Sequence, residues 1–228
     1  MQPQALPRVM TADRYVFSVV QQYAVSTGAG CPASKAANLL VPLLKDWAGQ
    51  YLLEIHFSGS YAKGTAISLG TDVDIFVSVD CGQPVKEIYW SLFQYCVDHQ
   101  LHPQVQNVSV GVQSNGLNVD LVPGRRQKGN TTDHTLYKRK KDTWVQTNVA
   151  QHIQFVSTSG RADEIRALKI WRERNYLDFP SFYLELTIIE ALKHKRSNSP
   201  ADKVLTALKY LEETFIHGGW LTQPTATT

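Results

Sequence analysis

Two aspartates stand directly before what otherwise reads as a buried strand. Asp72 and Asp74 belong to the segment FSGSYAKGTAISLGTDVDIFVSV (residues 57–79), in which residues 75–79 form the strand-like run. Carboxylates are rarely buried unless a partner or a metal ion compensates their charge. Because side chains at positions i and i+2 of a strand point to the same face, we expect Asp72 and Asp74 to project together.

A third aspartate, Asp120, lies in the sequence LNVDLVPG, again among apolar strand residues. Three carboxylates that converge from two strands repel one another unless divalent cations lie between them. Mg²⁺ takes oxygen ligands from a few carboxylates and completes its shell with water and phosphate oxygens. The three aspartates therefore predict a site for divalent cations.

The Gly59-Ser60 pair lies where a predicted strand turns toward a helix, and its backbone N–H groups and hydroxyl could hold a phosphate. Such a phosphate site beside Asp72, Asp74 and Asp120 suits phosphoryl or nucleotidyl transfer. One metal ion would lower the pKa of the attacking hydroxyl, with Asp120 as its natural ligand, and another would stabilise the pyrophosphate. The alternative is a plain turn with exposed strand-edge charges. The features together favour catalysis, because a motif gains weight from its structural context.

The elements around these residues predict an α+β fold, in which a mixed sheet with helices precedes a helical layer. The Asn115-Gly116 pair indicates a hairpin between the third and fourth strands. We place the catalytic core with its N-terminal helices in residues 1–150 and a helical subdomain in residues 151–228. Helical spacing covers residues 15–23, 34–47, 85–99, 163–175, 181–195 and 201–215, and the predicted strands are residues 51–57, 71–79, 105–113 and 117–122.

The composition is that of an ordinary soluble globular protein, with 43% hydrophobic and 19% charged residues in 228. Three cysteines without CxxC spacing argue against a disulfide framework or a zinc site and predict a cytoplasmic location. The longest apolar run, residues 38–44, is far shorter than the roughly 20 residues that cross a bilayer. We therefore expect no membrane partner.

The motifs GSYAKGT, DVDIFV and VDLVPG resemble those of the DNA polymerase β-type nucleotidyltransferase superfamily. They are most similar to the group that contains archaeal-type CCA-adding enzymes, 2′-5′-oligoadenylate synthases and cyclic GMP-AMP synthase-like enzymes. The clearest match covers residues 57–122, and a looser one runs through ADEIRALKIWRERN and FPSFYLELTIIEALK. The resemblance implies a polymerase β-like core followed by helices.

The resemblance also implies roles for individual residues. Gly59 and Ser60 would hold the triphosphate of an NTP, with ATP as the expected nucleotide. Two Mg²⁺ or Mn²⁺ ions would be bound by the aspartates at positions 72, 74 and 120.

Three further residues match nucleotide contacts of the same group. Lys169 and Ser181 match residues that contact the triphosphate, and Phe182 matches an aromatic residue that stacks on the base. The alternative for Lys169 is a solvated helix lysine, and that for Phe182 is a core aromatic residue.

A basic segment, residues 125–141, follows the third aspartate and leads to the helical layer. This segment could bind an RNA acceptor or an activating ligand, with an affinity that falls as the salt concentration rises. The alternative is a solvated loop. Tyr137 and Trp144 could stack on bases or belong to the core. The basic residues are Arg125, Arg126, Lys128, Lys138, Arg139, Lys140 and Lys141.

Three functional hypotheses follow. The first is a metal-dependent nucleotidyltransferase that transfers NMP from an NTP to a hydroxyl, releases pyrophosphate, and makes a linear or cyclic oligonucleotide second messenger. The second is an enzyme that extends RNA. The third is a catalytically idle binding module, which the three intact aspartates disfavour.

Overall fold

A computed structural model describes residues 10–70, 72–129 and 131–216 of the chain. These residues divide into two compact units. The helical unit consists of residues 10–24, 67–69 and 159–216, and the sheet unit consists of the other described residues between 25 and 158. The functional division into residues 1–150 and 151–228 stays a prediction, and its outermost residues, 1–9 and 217–228, lie outside the described part.

The sheet unit contains seven strands in one sheet of order β1-β2-β5-β4-β3, to which β6 is added beside β5 and β7 beside β6. Strands β2 and β5 are parallel, and the other described pairs are antiparallel. The predicted mixed sheet with helices is therefore confirmed. The strands are β1 (Leu52–Phe57), β2 (Val73–Val79), β3 (Gln104–Val105), β4 (Val110–Ser114), β5 (Leu117–Arg126), β6 (His134–Lys138) and β7 (Thr143–Thr147).

Four helices accompany these strands, and four more form the helical unit. Short 3-10 turns occur at Gly49–Tyr51 and Arg139–Lys141. No helix in the described ranges is both long enough and apolar enough to cross a membrane. In chain order the helices are α1 (Ala12–Gln22), α2 (Pro32–Ala48), α3 (Gly59–Lys63), α4 (Val85–Asp98), α5 (Val149–Ser157), α6 (Ala162–Arg174), α7 (Ser181–Ala191) and α8 (Pro200–Ile216).

The core of the sheet unit lies between one face of the sheet and helices α2 and α4. Alternate residues of β2, among them Val73, Ile75 and Val77, are fully buried there. Because strand residues alternate between faces, Asp74 and Phe76 point to the opposite face of the sheet. The packing of β2 thus fixes which face carries the carboxylate.

The Asn-Gly hairpin is confirmed. Asn115 and Gly116 have φ angles of +48° and +75°, and Ser114 pairs with Leu117 across the turn. Positive φ at both central residues is what a type I′ two-residue hairpin turn requires, and Asn and Gly adopt it at little cost.

The prediction of one strand over residues 105–113 is wrong. The segment folds back on itself as β3 and β4, and the N–H of Gln106 donates to the carbonyl of Ser109 (3.2 Å) to close the loop between them. Polar residues at 106, 107 and 109 interrupt the apolar pattern, which is typical of a turn. The predicted strand 71–79 begins at Val73 in the structure, and Thr71 lies outside the described residues.

Strands β6 and β7 and helix α5 were not predicted, because basic and polar residues obscure their apolar periodicity. Buried Leu136 and Tyr137 of β6 follow a buried His134, so this strand belongs to the interior although it lies within the basic segment. The helical unit contains α1, α6, α7 and α8, so by its contacts α1 groups with the C-terminal helices.

Candidate active site

Asp74 and Asp120 are direct neighbours on the parallel strands β2 and β5, where they form a register pair. Both side chains are half-buried. Their strand neighbours Val73 and Val119 are fully buried in the core. The sheet register therefore places two carboxylates side by side on the face opposite that core.

Asp72 directly precedes β2 and adds a third negative charge. Burial, and then the charge of Asp72, raises the pKa of Asp120 to about 6, although hydrogen bonds from Ser109 and Gln106 act in the opposite direction. Within residues 10–70, 72–129 and 131–216, Asp120 forms no ion pair with a basic side chain. A carboxylate perturbed by burial and by a like charge is typical of a functional site.

Gly59 lies against the Asp74 carboxylate. It has a φ of +55°, and a Cβ atom at this position would lie 1.8 Å from Oδ2 of Asp74. The N–H of Ser58 also donates to the backbone carbonyl of Asp74 (2.8 Å). Position 59 therefore requires glycine for two reasons, backbone conformation and contact with the aspartate.

Ser60 is the second residue of α3 and is half-buried. Its backbone carbonyl accepts a hydrogen bond from Thr65, and its hydroxyl forms none with another described residue. The Gly59-Ser60 pair therefore contacts the aspartate on β2, and its phosphate-binding role stays a prediction.

The loop between β3 and β4 provides two hydrogen bonds to Asp120. Nε2 of Gln106 donates to Oδ1 (2.6 Å), and the Ser109 hydroxyl shares its one proton between Oδ2 of Asp120 (3.3 Å) and Oε1 of Gln106 (3.2 Å). The sequence does not single out either residue, because its pattern predicts a strand over residues 105–113 and not a loop.

The carboxylate oxygens of Asp74 and Asp120 are suitable ligands for a hard divalent cation, because Mg²⁺ and Mn²⁺ prefer such oxygens. Among the described residues, however, no three His, Cys, Asp or Glu side chains are already arranged around one metal position. The metal-binding role of Asp72, Asp74 and Asp120 stays a prediction.

Lys169, Ser181 and Phe182 belong to the helical unit. Lys169 is 3% exposed, and its Nζ donates to Oε1 of buried Glu185 (2.6 Å), so the alternative of a solvated lysine is wrong. Ser181 begins α7 and accepts a hydrogen bond from Arg172 (3.0 Å), while Phe182 is half-buried. Their proposed contacts with nucleotide stay predictions.

The basic segment is divided between structural and exposed positions. The guanidinium group of Arg139 donates to the backbone carbonyl of Gln106 (3.0 Å), and Arg126 forms an ion pair with Asp80 (2.8 Å). In contrast, the side chains of Lys140 and Lys141 are exposed and form no ion pair in the described chain. The segment is therefore not simply a solvated loop.

The two aromatic residues beside this segment differ in the same way. Tyr137 is buried and donates its hydroxyl proton to Asp142 (2.6 Å), which confirms the alternative of a core residue. Trp144 is 58% exposed. Only Trp144 of the two is therefore accessible to a stacking partner.

Comparison with protein families gives a match over residues 43–176 to the family described as "Nucleotidyltransferase domain". Among curated proteins, the chain is 27% identical over 182 residues to a cyclic AMP-AMP-AMP synthase of Escherichia coli (strain MS 115-1). The match covers 70% of this chain and 56% of that relative, so the chain spans little more than half the relative's length.

Similar solved structures cover most of the chain. CdnC of Escherichia coli MS115-1 with ATP has a TM-score of 0.71 at 20% identity, and the match covers 90% of this chain and 73% of that one. The CD-NTase CdnG of Bradyrhizobium diazoefficiens in complex with GTP has a TM-score of 0.78 at 12% identity, covering 94% and 82%. These likenesses confirm the predicted polymerase β-like fold.

Proposed function

Because the chain belongs to the nucleotidyltransferase domain family, we propose that it transfers a nucleoside monophosphate from an NTP to a hydroxyl and releases pyrophosphate. The observation that carries this proposal is the register pair of Asp74 and Asp120, with Gly59 in contact with Asp74. These contacts join residues from the three sequence motifs, which are separate in the chain.

In this proposal each residue has a distinct task. Gly59 and Ser60 bind the triphosphate, and the Ser60 hydroxyl, unused within the described chain, donates to a phosphate oxygen. Asp72, Asp74 and Asp120 hold Mg²⁺ or Mn²⁺. When bound, the metal ions lower the pKa of the attacking hydroxyl and stabilise the charge on the pyrophosphate. Lys169, Ser181 and Phe182 are the proposed further contacts with nucleotide.

The proposed product is a linear or cyclic oligonucleotide second messenger. The support is the likeness to a cyclic AMP-AMP-AMP synthase and to CdnG with GTP and CdnC with ATP. ATP is the first nucleotide to test.

RNA extension is the second candidate, and the exposed cations of the β6–β7 hairpin favour it. Lys140, Lys141 and Trp144 offer positive charge and an aromatic surface on the sheet unit. Single-stranded nucleic acids bind to such combinations of charge and stacking.

The decisive experiment incubates the purified protein with labelled NTPs and Mg²⁺ or Mn²⁺, with and without RNA, and resolves the products after phosphatase treatment. A phosphatase-resistant oligonucleotide made without RNA supports a second-messenger synthase. Label that appears only on added RNA supports the second candidate. Removal of divalent metal with a chelator should stop either reaction, and added Mg²⁺ or Mn²⁺ should restore it.

The matched variants are Asp74→Asn and Asp80→Asn, at opposite ends of β2. Asp74→Asn should lower kcat by about 10⁴-fold, the scale seen when one member of a catalytic unit is removed. Asp80 is exposed, pairs with Arg126 and has no part in the proposed site, so its substitution should leave the rate within about two-fold. Equal rates for Asp74→Asn and the unaltered protein would instead support an idle binding module.

A further inference from the structure

We infer that Gln106 and Ser109 position the Asp120 carboxylate for divalent metal binding. The inference rests on the proposed function, because it assigns these residues to the same site. Both come from the loop between β3 and β4. Nε2 of Gln106 donates to Oδ1 (2.6 Å), while the Ser109 hydroxyl lies 3.3 Å from Oδ2 of Asp120 and 3.2 Å from Oε1 of Gln106, so its one proton is shared between the carboxylate and the amide. A carboxylate held at both oxygens has one orientation instead of several.

The loop itself is fixed to the core. The backbone carbonyl of Gln106 accepts from the Tyr89 hydroxyl (3.0 Å) and from Nε of Arg139 (3.0 Å). Tyr89 is 1% exposed on α4, and its hydroxyl also lies 3.0 Å from the carbonyl of Ser109. These contacts use the backbone of the loop and hold it in place independently of the Gln106 side chain.

Gly111 leaves the space that the Gln106 amide occupies. It is the register partner of Asp120 on β4, and a Cβ atom at this position would lie 2.7 Å from Nε2 of Gln106. Any other residue at 111 would force the amide to move. Three residues of this hairpin therefore act on Asp120. Gln106 and Ser109 form hydrogen bonds with its carboxylate, and Gly111 leaves space for the Gln106 amide.

The two hydrogen bonds leave the carboxylate able to bind a cation. Each carboxylate oxygen has two lone-pair sites, and Gln106 and Ser109 occupy one on each oxygen. The remaining sites keep a fixed direction while the two donors stay bound, and the anchored backbone of the loop keeps both donors within reach. Outer partners of this kind change metal affinity or activity by about 10- to 100-fold when removed.

The test compares Gln106→Ala with Gln104→Ala, the same substitution in the same hairpin at an exposed residue whose side chain forms no hydrogen bond with Asp120. Mn²⁺ binding is measured by electron paramagnetic resonance without nucleotide, together with the Mg²⁺ dependence of kcat. Gln106→Ala should weaken Mn²⁺ binding about 10-fold and raise the Mg²⁺ concentration for half-maximal rate by a similar factor. Gln104→Ala should change neither.

A second route to the same defect is Gly111→Ala, which displaces the amide without removing it. Its effect on Mn²⁺ affinity should match that of Gln106→Ala, and the double variant should show no further loss. Gln106→Asn, whose amide is too short to reach Asp120, keeps the loop's backbone contacts and carries the test if the alanine variant does not fold.

The outcomes separate this inference from the proposed function. If Asp120→Asn loses Mn²⁺ binding while Gln106→Ala and Gln106→Asn retain it, the positioning role is overturned and the proposed function stands. If Asp120→Asn also retains it and no NTP is consumed, the proposed function itself fails. A lower thermal midpoint with unchanged Mn²⁺ affinity assigns Gln106 to structure alone and likewise overturns the inference.

Discussion

Both units of the protein bury charged side chains, but they compensate the charges in opposite ways. In the helical unit, Lys169 and Glu185 lie almost wholly out of solvent and form an ion pair (2.6 Å). In the sheet unit, Asp120 lies beside Asp74 and near Asp72, and like charges accumulate on one face of the sheet. Hydrogen bonds from Gln106 and Ser109 stabilise the Asp120 carboxylate but do not neutralise it.

The two sites therefore differ in whether a charge is offset by a partner within the chain or is expected to be offset by a bound cation. In a buried ion pair each charge offsets the other, so the pair contributes little net stability, although removing one partner costs a great deal. Asp120, in contrast, is half-buried beside a second carboxylate and forms no ion pair among the described residues, so a bound cation would offset an otherwise unfavourable charge. Substitutions in each unit test this contrast.

The largest expected effect is on the ion pair. Lys169→Ala leaves the buried Glu185 carboxylate without its cation and should lower the free energy of unfolding by about 3–5 kcal/mol. The measurement is chemical denaturation of the variant beside the unaltered protein.

Its control replaces both partners. Lys169→Met combined with Glu185→Leu should restore stability to near the starting value, because apolar residues of similar size fill the same space. If that restored variant also loses nucleotide transfer, the proposed triphosphate contact of Lys169 gains support. A stable Lys169→Ala protein would contradict the view that this pair serves the fold.

The next effect tests the contact between Gly59 and Asp74. Gly59→Ala would place a methyl group where the carboxylate lies, and a displacement of about 1 Å in a catalytic group can cost about 10²-fold in rate. The matched control is Gly64→Ala, since Gly64 has a φ of +70° with no atom within 4 Å of a Cβ there. Steady-state rates should fall only in the first variant. Equal rates would show that the aspartate does not need the glycine.

The smallest effect is a pH dependence of stability. Asp120 has an ordinary pKa of 3.8 and a folded-state pKa of about 6, so the folded protein binds its proton more tightly than the unfolded chain. Its contribution is therefore most favourable below pH 3.8, is lost as the pH rises from 3.8 to 6, and stays lost above. Asp120→Asn removes this loss.

Without metal, the stability of Asp120→Asn relative to the unaltered protein should increase from pH 4 to pH 7, by about 1–2 kcal/mol after allowance for solvent around the group. The measurement is denaturation across that range, with Asp80→Asn as the flat control. Added Mg²⁺ should reduce the stability difference between Asp120→Asn and the unaltered protein, because only the unaltered protein has the Asp120 carboxylate to bind the ion. A difference that stays constant with pH would contradict the raised pKa.

Local patterns in the sequence predicted much of this fold. Strand β2, helix α4 and the Asn115-Gly116 hairpin could be predicted because apolar periodicity and turn chemistry lie within a few residues. The three motifs likewise indicated the family, because their residues stand at short spacings within the chain.

What could not be predicted depends on partners that are distant in the chain. Nothing near Gln106 indicates that its amide reaches Asp120, since the two meet only after β4 and β5 pair. The burial of Lys169 depends on Glu185 in another helix, and a lysine in an amphipathic pattern reads as exposed. Strands β6 and β7 were not predicted because each has only two adjacent apolar residues, Leu136-Tyr137 and Trp144-Val145, between polar ones, so neither shows an alternating pattern.

The parallel pairing of β2 with β5 also bears on when the site forms during folding. Parallel strands cannot be joined by a tight turn, so the chain must pass through α4 and the β3–β4 hairpin before β5 returns to β2. Closing such a long connection loses entropy before its contacts are gained, whereas the β4–β5 hairpin is local and forms readily. Asp74 and Asp120 are therefore expected to come together late in folding. Until β5 has paired with β2, a nascent chain does not hold the two carboxylates side by side.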